Sequence, residues 1–475
     1  MTNLDPLGGN HGRPPVLLPY VPILPSSEAP AAGRPPGLEL APFRGVRYAE
    51  NRVSGLAEVT SPPYDVIAAD NENQLMASDP HNVVRLILPR HAPGQPGSPY
   101  EDAARDLSAW LGEGILAADP LPALYVYEQA AAAGNGQTSR AAASGGTAVL
   151  QRGLIGALGL VPYSAGIVQP HEDTAPGPVT GRRLLMEATR ANLEPIFLLY
   201  NGGNGAASTL VDHVADGRPP LAETHTTDGY RHRLWAVTDQ GELAAVAADL
   251  APRTALIADG HHRYAAYLQL QQRKRQEGAG PGPWDRGLAL LVDSAAYPPR
   301  LGAIHRVITG LMPEAAARLA ASAFRVRELP GGTREVTAAL AELAAACERG
   351  VAFLLTGDSR AWLLTDPDAG QVSAAVPDQP AELWQRVPVA VLDGLLLARI
   401  WAIEDDARSV RAIHDAAEAI AEADSELTGT AVICGPMTAD QVYEVAALGR
   451  RVPRKSTSFG PKPRTGLVLR LFADG

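Results

Sequence analysis

Short apolar runs closed by Gly, Pro, Asp or Asn recur along the chain and predict buried strands. They fall at His81–Leu88, Ala123–Glu128, Thr147–Gln151, Ile155–Val161, Glu194–Tyr200, Tyr230–Val237, Ala255–Ala258, Leu288–Asp293 and Ala303–Ile308. Helical spacing appears from about Tyr100, with Leu107, Trp110 and Leu111 on one face, again from about Arg182 to Ala191, and from Gly260 to about Arg275. From Pro313 onward, alanine-rich helices alternate with short strands. Examples are helices at Pro313–Ala321, Val391–Trp401 and Ala412–Ala423, and strands at Val351–Leu355, Trp362–Leu364 and Gly466–Leu471. Residues 1–38 are rich in Pro, Gly and Ala with no sustained period, which predicts a disordered leader. Gly134–Gly146 is a Gly/Ala/Ser loop to which no chemistry is assigned, and no internal repeat is visible.

Composition narrows the class. A chain of 475 residues, 46% hydrophobic and 20% charged, can bury a sizeable core and is long enough for two or three domains. A net charge of −11 argues against nonspecific nucleic-acid or membrane-surface binding. Neither a membrane-length apolar run nor a secretion signal is visible, so a cytoplasmic location is expected. Cys347 and Cys434 alone cannot make a disulfide framework or a cysteine zinc site. Of 41 basic residues only Lys274, Lys455 and Lys462 are lysine, leaving 38 arginines. Two of the three lysines share one short stretch, where a compact ammonium has a use that a guanidinium lacks.

The stretch with the clearest chemistry is Ile257-Ala258-Asp259-Gly260-His261-His262-Arg263. A strand breaks at Asp-Gly, and cationic side chains fill the first turn of the following helix, where the macrodipole is already positive. An anion relieves that conflict, and a strand, a glycine turn and a helix start make a phosphate cradle. The plain alternative has Asp259 as an N-cap and the histidines in solvent. Pro170-His171-Glu172 offers an imidazole and a carboxylate for base chemistry, or else a helix start. Pro62-Pro63-Tyr64-Asp65 is a stiff mount for Asp65, and Glu128, at the end of a strand, is a reserve carboxylate. His305 could lie near the central turn, though a core or surface histidine is the simpler account. The loop Lys455-Ser456-Thr457 through Lys462 carries ammonium and hydroxyl groups suited to phosphate or carboxylate.

Taken jointly, Pro42-Phe43-Arg44-Gly45, Pro62 to Ile67, Tyr125 to Gln129, Pro170-His171-Glu172, Ala191-Asn192, the Asp259 turn and the Lys455–Lys462 loop resemble the bacterial family catalogued as domain of unknown function 1015. The resemblance covers about residues 40 to 475 and implies an α+β fold. A ParB/sulfiredoxin-like nucleotide-binding core, residues 39–311, would be elaborated with mixed sheets, and residues 312–475 would form an alanine-rich α/β part ending in the lysine loop. The Asp-Gly-His-His-Arg turn is similar to the phosphate-binding turn of ParB/sulfiredoxin-like proteins, among them ATP- or ADP-dependent free-serine kinases. Carried over, Glu172 would be the base and His171 its support. Gly260, His261, His262 and Arg263 would hold phosphates, and Asp259 would orient a histidine or bind Mg²⁺. One departure is the long stretch of chain between Glu172 and Asp259. The expected function is nucleotide-dependent phosphoryl transfer to a small hydroxyl metabolite, with free L-serine the leading acceptor. Alternatives are a nucleotide-binding switch without metabolite chemistry, or a metal-dependent phosphoester hydrolase. Expected partners are nucleotide and small substrate, with no nucleic acid and no membrane; a homo-oligomer is left open.

Overall fold

The computed structural model describes residues 37–474, apart from 68, 92–93, 95, 132–147, 377–380, 405–407 and 426–428. The bulk of the expected leader and the loop Gly134–Gly146 lie outside the described residues. Leu38, the last residue of the expected leader, is buried and donates its amide to Arg253 O.

Helices and mixed sheets make up the fold, as an α+β pattern requires. The largest sheet has nine strands. At one end, Ala255–Asp259 lies between Val168–Gln169, parallel, and Ile196–Tyr200, antiparallel; Arg286–Asp293 then runs parallel to Ile196–Tyr200. A long hairpin, Leu124–Ala131 with Ala148–Gly159, continues the sheet to Tyr230–Val237 and Ala222–His225. Successive residues enter opposite cores: Phe197, Leu199, Leu256 and Ala258 face one, Ile196, Leu198, Ala255 and Ile257 the other. Both faces are covered, which is why these strands read as continuous apolar runs.

A second sheet of six antiparallel strands carries the later chain, with His305–Thr309 between Val410–Ile413 and Gly429–Cys434. The last segment leaves it. Ser458–Gly460 pairs with Arg300–Gly302, and Leu469–Leu471 inserts between Gly45–Tyr48 and Ala191–Asn192. The strands beyond residue 457 therefore pair with strands of the 39–311 stretch rather than with the second sheet.

Two local expectations are corrected. His81–Leu88 is not a strand but encloses the short helix Val84–Ile87. Buried Asn82 accepts the Val84 amide at 2.9 Å and donates to Glu58 O at 2.6 Å, and this local capping outweighs the β-branched valines. Val391–Trp401 is a helix over the expected range, wound as a π-helix. The helix after Glu172 starts at Pro176 with Ala175 at its N-cap, and no side chain caps it. Among the described residues no helix is long and apolar enough to cross a membrane.

Candidate functional site

The strand Ala255–Asp259 breaks register between Ile257 and Asp259, a bulge that re-aims the last residue. Gly260 follows in the left-handed region at φ +95°, and the helix His261–Gln276 begins without a side-chain cap. Its first amides thus have no partner within the helix. A Cβ at position 260 would stand 2.9 Å from Ile196 Cγ2 and 3.2 Å from Arg263 Nε, so glycine is required by both conformation and space. Gly260→Ala is expected to cost about 1–3 kcal/mol; an unchanged thermal melt would show that the turn adapts.

Asp259 is buried and both its oxygens are engaged. Oδ1 meets Lys462 Nζ at 2.5 Å, and Oδ2 pairs with Arg263 one turn later. Burial alone would raise this carboxyl; the charges of Lys462 and Arg263 override it and hold it well below the usual carboxylate range. Lys462 also reaches Asp65 Oδ2 at 3.0 Å, so one ammonium joins a loop and a strand nearly two hundred residues apart. Burial would lower Lys462, but the two carboxylates keep it firmly protonated. The other oxygen of Asp65, Oδ1, is buried and accepts no hydrogen bond.

Asp65 is held in place by contacts with no signature in the sequence. The Tyr64 amide donates to Glu194 Oε1 at 3.0 Å, and the Tyr64 ring lies under the guanidinium groups of Arg182 and Arg263, at 4.2 and 5.8 Å. Burial raises the Glu194 carboxyl against the opposing charges of Arg263 and Arg182.

Glu172 approaches from the neighbouring loop. Residues 171–173 run parallel to Val452, with Val452 N donating to His171 O at 2.8 Å. This zipper sets Glu172 against the lysine loop, where Lys455 N donates to Oε1 at 2.6 Å and Ser456 N to Oε2 at 3.4 Å. Burial pushes the Glu172 carboxyl up to about 7, opposed by the Lys455 amide and charge, the Ser456 amide and Lys462. Such a group ionises where a general base is most useful. The Lys455 ammonium makes no hydrogen bond or ion pair among the described residues.

The histidines are held neutral. His171 Nε2 and Thr457 Oγ1 share a hydrogen bond of 2.7 Å, and burial brings His171 down to about 4. Its ring meets His261 edge-on at 4.6 Å. Burial, then the nearby His171 and His262, press His261 well down, and His261 Nε2 is buried without a partner. His262 Nε2 accepts the Ala175 amide at 3.0 Å, which ties the start of one helix to that of another. None of the three adds a cation at neutral pH, so the expected positive cradle reduces to Arg263, Lys462, Lys455 and the helix start.

The structure thus brings together Asp65, His171, Glu172, Asp259, Gly260, His261, His262, Arg263, Lys455, Ser456, Thr457 and Lys462. Two candidates lie elsewhere. Glu128 is fully buried against Arg152, Arg231 and Arg233, an ion-paired cluster within the large sheet. His305 is buried in the second sheet, where its Nδ1 accepts the Cys434 amide at 3.1 Å. A residue not anticipated is His414, whose Nδ1 lies 3.3 Å from Ser458 Oγ, on the segment between Thr457 and Lys462. As a magnesium ligand Asp259 does not fit this arrangement, since both its oxygens are taken. Among the described residues no group of three or more His, Cys, Asp and Glu side chains could hold a metal ion.

Solved structures similar to this chain include SbnI with C-terminal truncation from Staphylococcus aureus, at 12% identity and a TM-score of 0.32, covering 66% of this chain and 85% of that one. Free serine kinase in complex with AMP aligns at 16% identity and a TM-score of 0.30, covering 62% of this chain and 83% of that one. A conserved hypothetical protein from Pyrococcus furiosus aligns at 14% identity and a TM-score of 0.31, covering 62% and 87%. No curated protein matches the chain significantly. The family described as "Protein of unknown function (DUF1015)" matches residues 40–393, most of the chain, and this protein belongs to that family.

Proposed function

We propose that the protein is a nucleotide-dependent phosphotransferase acting on the hydroxyl of a small metabolite, with free L-serine the first acceptor to test. The observation that carries the proposal is Glu172: a carboxyl brought to about 7 in the same site as an unpaired ammonium, a lysine–arginine ion network and an uncapped helix start. Phosphoryl transfer needs a positioned hydroxyl, a base and fixed positive charge around the phosphates, and asks little covalent work of the protein. In this scheme Glu172 takes the acceptor's hydroxyl proton as the oxygen attacks the terminal phosphorus. The bond to the departing nucleotide breaks, and Lys455 with the amides of the helix start receives the negative charge. His171 holds Thr457, and with it the loop. No step is assigned to a metal.

Incubation of the full chain with γ-labelled ATP or β-labelled ADP, with Mg²⁺ added, across amino acids and hydroxy metabolites tests the proposal. Labelled phosphoserine supports it and selects the donor; label on another hydroxyl changes the acceptor.

A second function has one observation in its favour. Lys462 holds both Asp65 and Asp259, so a phosphate that drew it away would release the C-terminal loop from the site. A nucleotide-binding switch would work this way. Nucleotide-dependent loss of protection of residues 453–462 in hydrogen exchange, with no labelled acceptor, is the expected signature of that alternative.

A further inference from the structure

Arg306 lies on His305–Thr309, the strand next to the edge of the second sheet, with 1% of its surface exposed. Buried guanidinium groups ordinarily meet carboxylates. This one makes no ion pair among the described residues and donates only to carbonyls: Ile304 O at 3.2 Å, His305 O at 3.5 Å and Lys455 O at 3.0 Å. The first two belong to its own strand and the residue just before it; the third belongs to the loop that feeds Glu172.

Lys455 is the residue at that point whose backbone needs holding. It adopts φ +58°, the left-handed region, without being glycine. Such residues persist where the surroundings over-determine them, and they gather at functional sites. Here the left-handed turn presents the Lys455 and Ser456 amides to the two oxygens of Glu172. The Lys455 peptide groups are thus gripped from both sides, by the Glu172 carboxylate on the amide and by Arg306 on the carbonyl.

We propose that Arg306 is a positioning residue: by holding the Lys455 carbonyl it maintains the left-handed turn that directs the Lys455 amide to Glu172 and leaves the Lys455 ammonium free for an anion. The second sheet thereby sets the geometry of a base carried on the loop that follows Val168–Gln169 of the first. The effect on turnover rests on the phosphotransferase proposal; the effect on Glu172 itself does not.

The charged and titratable groups facing Glu172 are Lys455 and Lys462, with His171 adjacent in the chain and Asp173 turned toward Arg451 at 3.5 Å. Full-length protein labelled with ¹³C at glutamate carboxyls, with Glu172 assigned by its absence in Glu172→Gln, reports the ionisation of this group directly. In Arg306→Met the midpoint is expected to rise by about half a pH unit or more, because a donor to the ionised form is lost. Arg306→Lys, which keeps the charge and part of the reach, is expected to fall between. If Arg306→Met does not fold, Arg306→Gln, neutral and too short to span both segments, carries the same expectation. Where turnover is measured, kcat falls about tenfold in Arg306→Met with KM for nucleotide little changed, and Arg306→Lys restores part of it. A midpoint identical to the wild type in the folded variants overturns the proposal. A shifted midpoint in a protein that phosphorylates no acceptor leaves this coupling standing and retires the kinase reading. An unmoved midpoint with robust turnover does the reverse.

Discussion

Glu172→Gln is expected to lower phosphoryl transfer by about 100- to 10,000-fold, the usual contribution of a positioned general base, while nucleotide still binds. Glutamine keeps the size and one acceptor oxygen for the Lys455 amide but cannot take a proton. The pH profile gives a second readout. Since the carboxyl is brought to about 7, kcat/KM should rise with pH through that value in the wild type, and the inflection should vanish in the variant. Stability runs the opposite way. The unfolded carboxyl ionises near 4.5 and the folded one near 7, so between those values the folded state binds more protons. Stability is therefore lost as pH rises across this window, by up to about 3 kcal/mol. Glu172→Gln removes that penalty, so the variant should melt higher than the wild type at pH 8 and show no such gain below pH 4.5. Turnover preserved in the variant would take Glu172 out of the mechanism, and a melting difference independent of pH would mean that the carboxyl is not held protonated by burial.

Lys462→Met is expected to be the most damaging single change to stability in the site. Its ammonium bridges Asp65 and Asp259, and methionine would leave two neighbouring carboxylates without that charge, one of them buried. Breaking a buried pair in this way costs about 3–5 kcal/mol. Arg263 would still hold one oxygen of Asp259, which places the loss toward the lower end. The Asp259 carboxyl is depressed in the folded state, so its contribution is present above the unfolded carboxyl range and is lost as pH falls through the folded value. Chemical denaturation at pH 7 and again near pH 3 checks this: the deficit of Lys462→Met should be large at pH 7 and shrink as the carboxyls protonate. Equal stability at pH 7 would show that Lys462 is dispensable to the fold. Lys462→Arg is also expected to be harmful, because a planar fork does not fit between two carboxylates held 3.0 and 2.5 Å from one nitrogen.

The Asp259–Arg263 turn was legible in the sequence because its chemistry is local: an apolar strand, a glycine at a left-handed position and cations in a helix's first turn conflict within seven residues. The scarcity of lysine pointed to Lys455 and Lys462 for the same reason, as a compositional signal that needs no fold. Strands buried on both faces could be located from their apolar runs, though not ordered, since continuous hydrophobicity carries no register. Where local capping competes with side-chain shape the pattern misled, as at Asn82, whose side chain turns Val84–Ile87 into helix.

What the tertiary structure decided is which distant groups meet, and in what charge state. That Asp65 and Asp259 share Lys462 depends on the last segment leaving its own sheet to rejoin the first part of the chain. That the histidines are neutral rather than cationic follows from burial, which composition cannot report. Glu128 and His305 share residue types with the site but lie in other surroundings, one among arginines and one against a backbone amide. Arg306, Glu194 and Arg182 carry no motif, because their roles lie in carbonyls, an amide and a ring contributed by residues far away in sequence. The sequence alone determined which residues could do chemistry through their local pattern; the tertiary structure determined their partners, and through desolvation and paired charge, their protons.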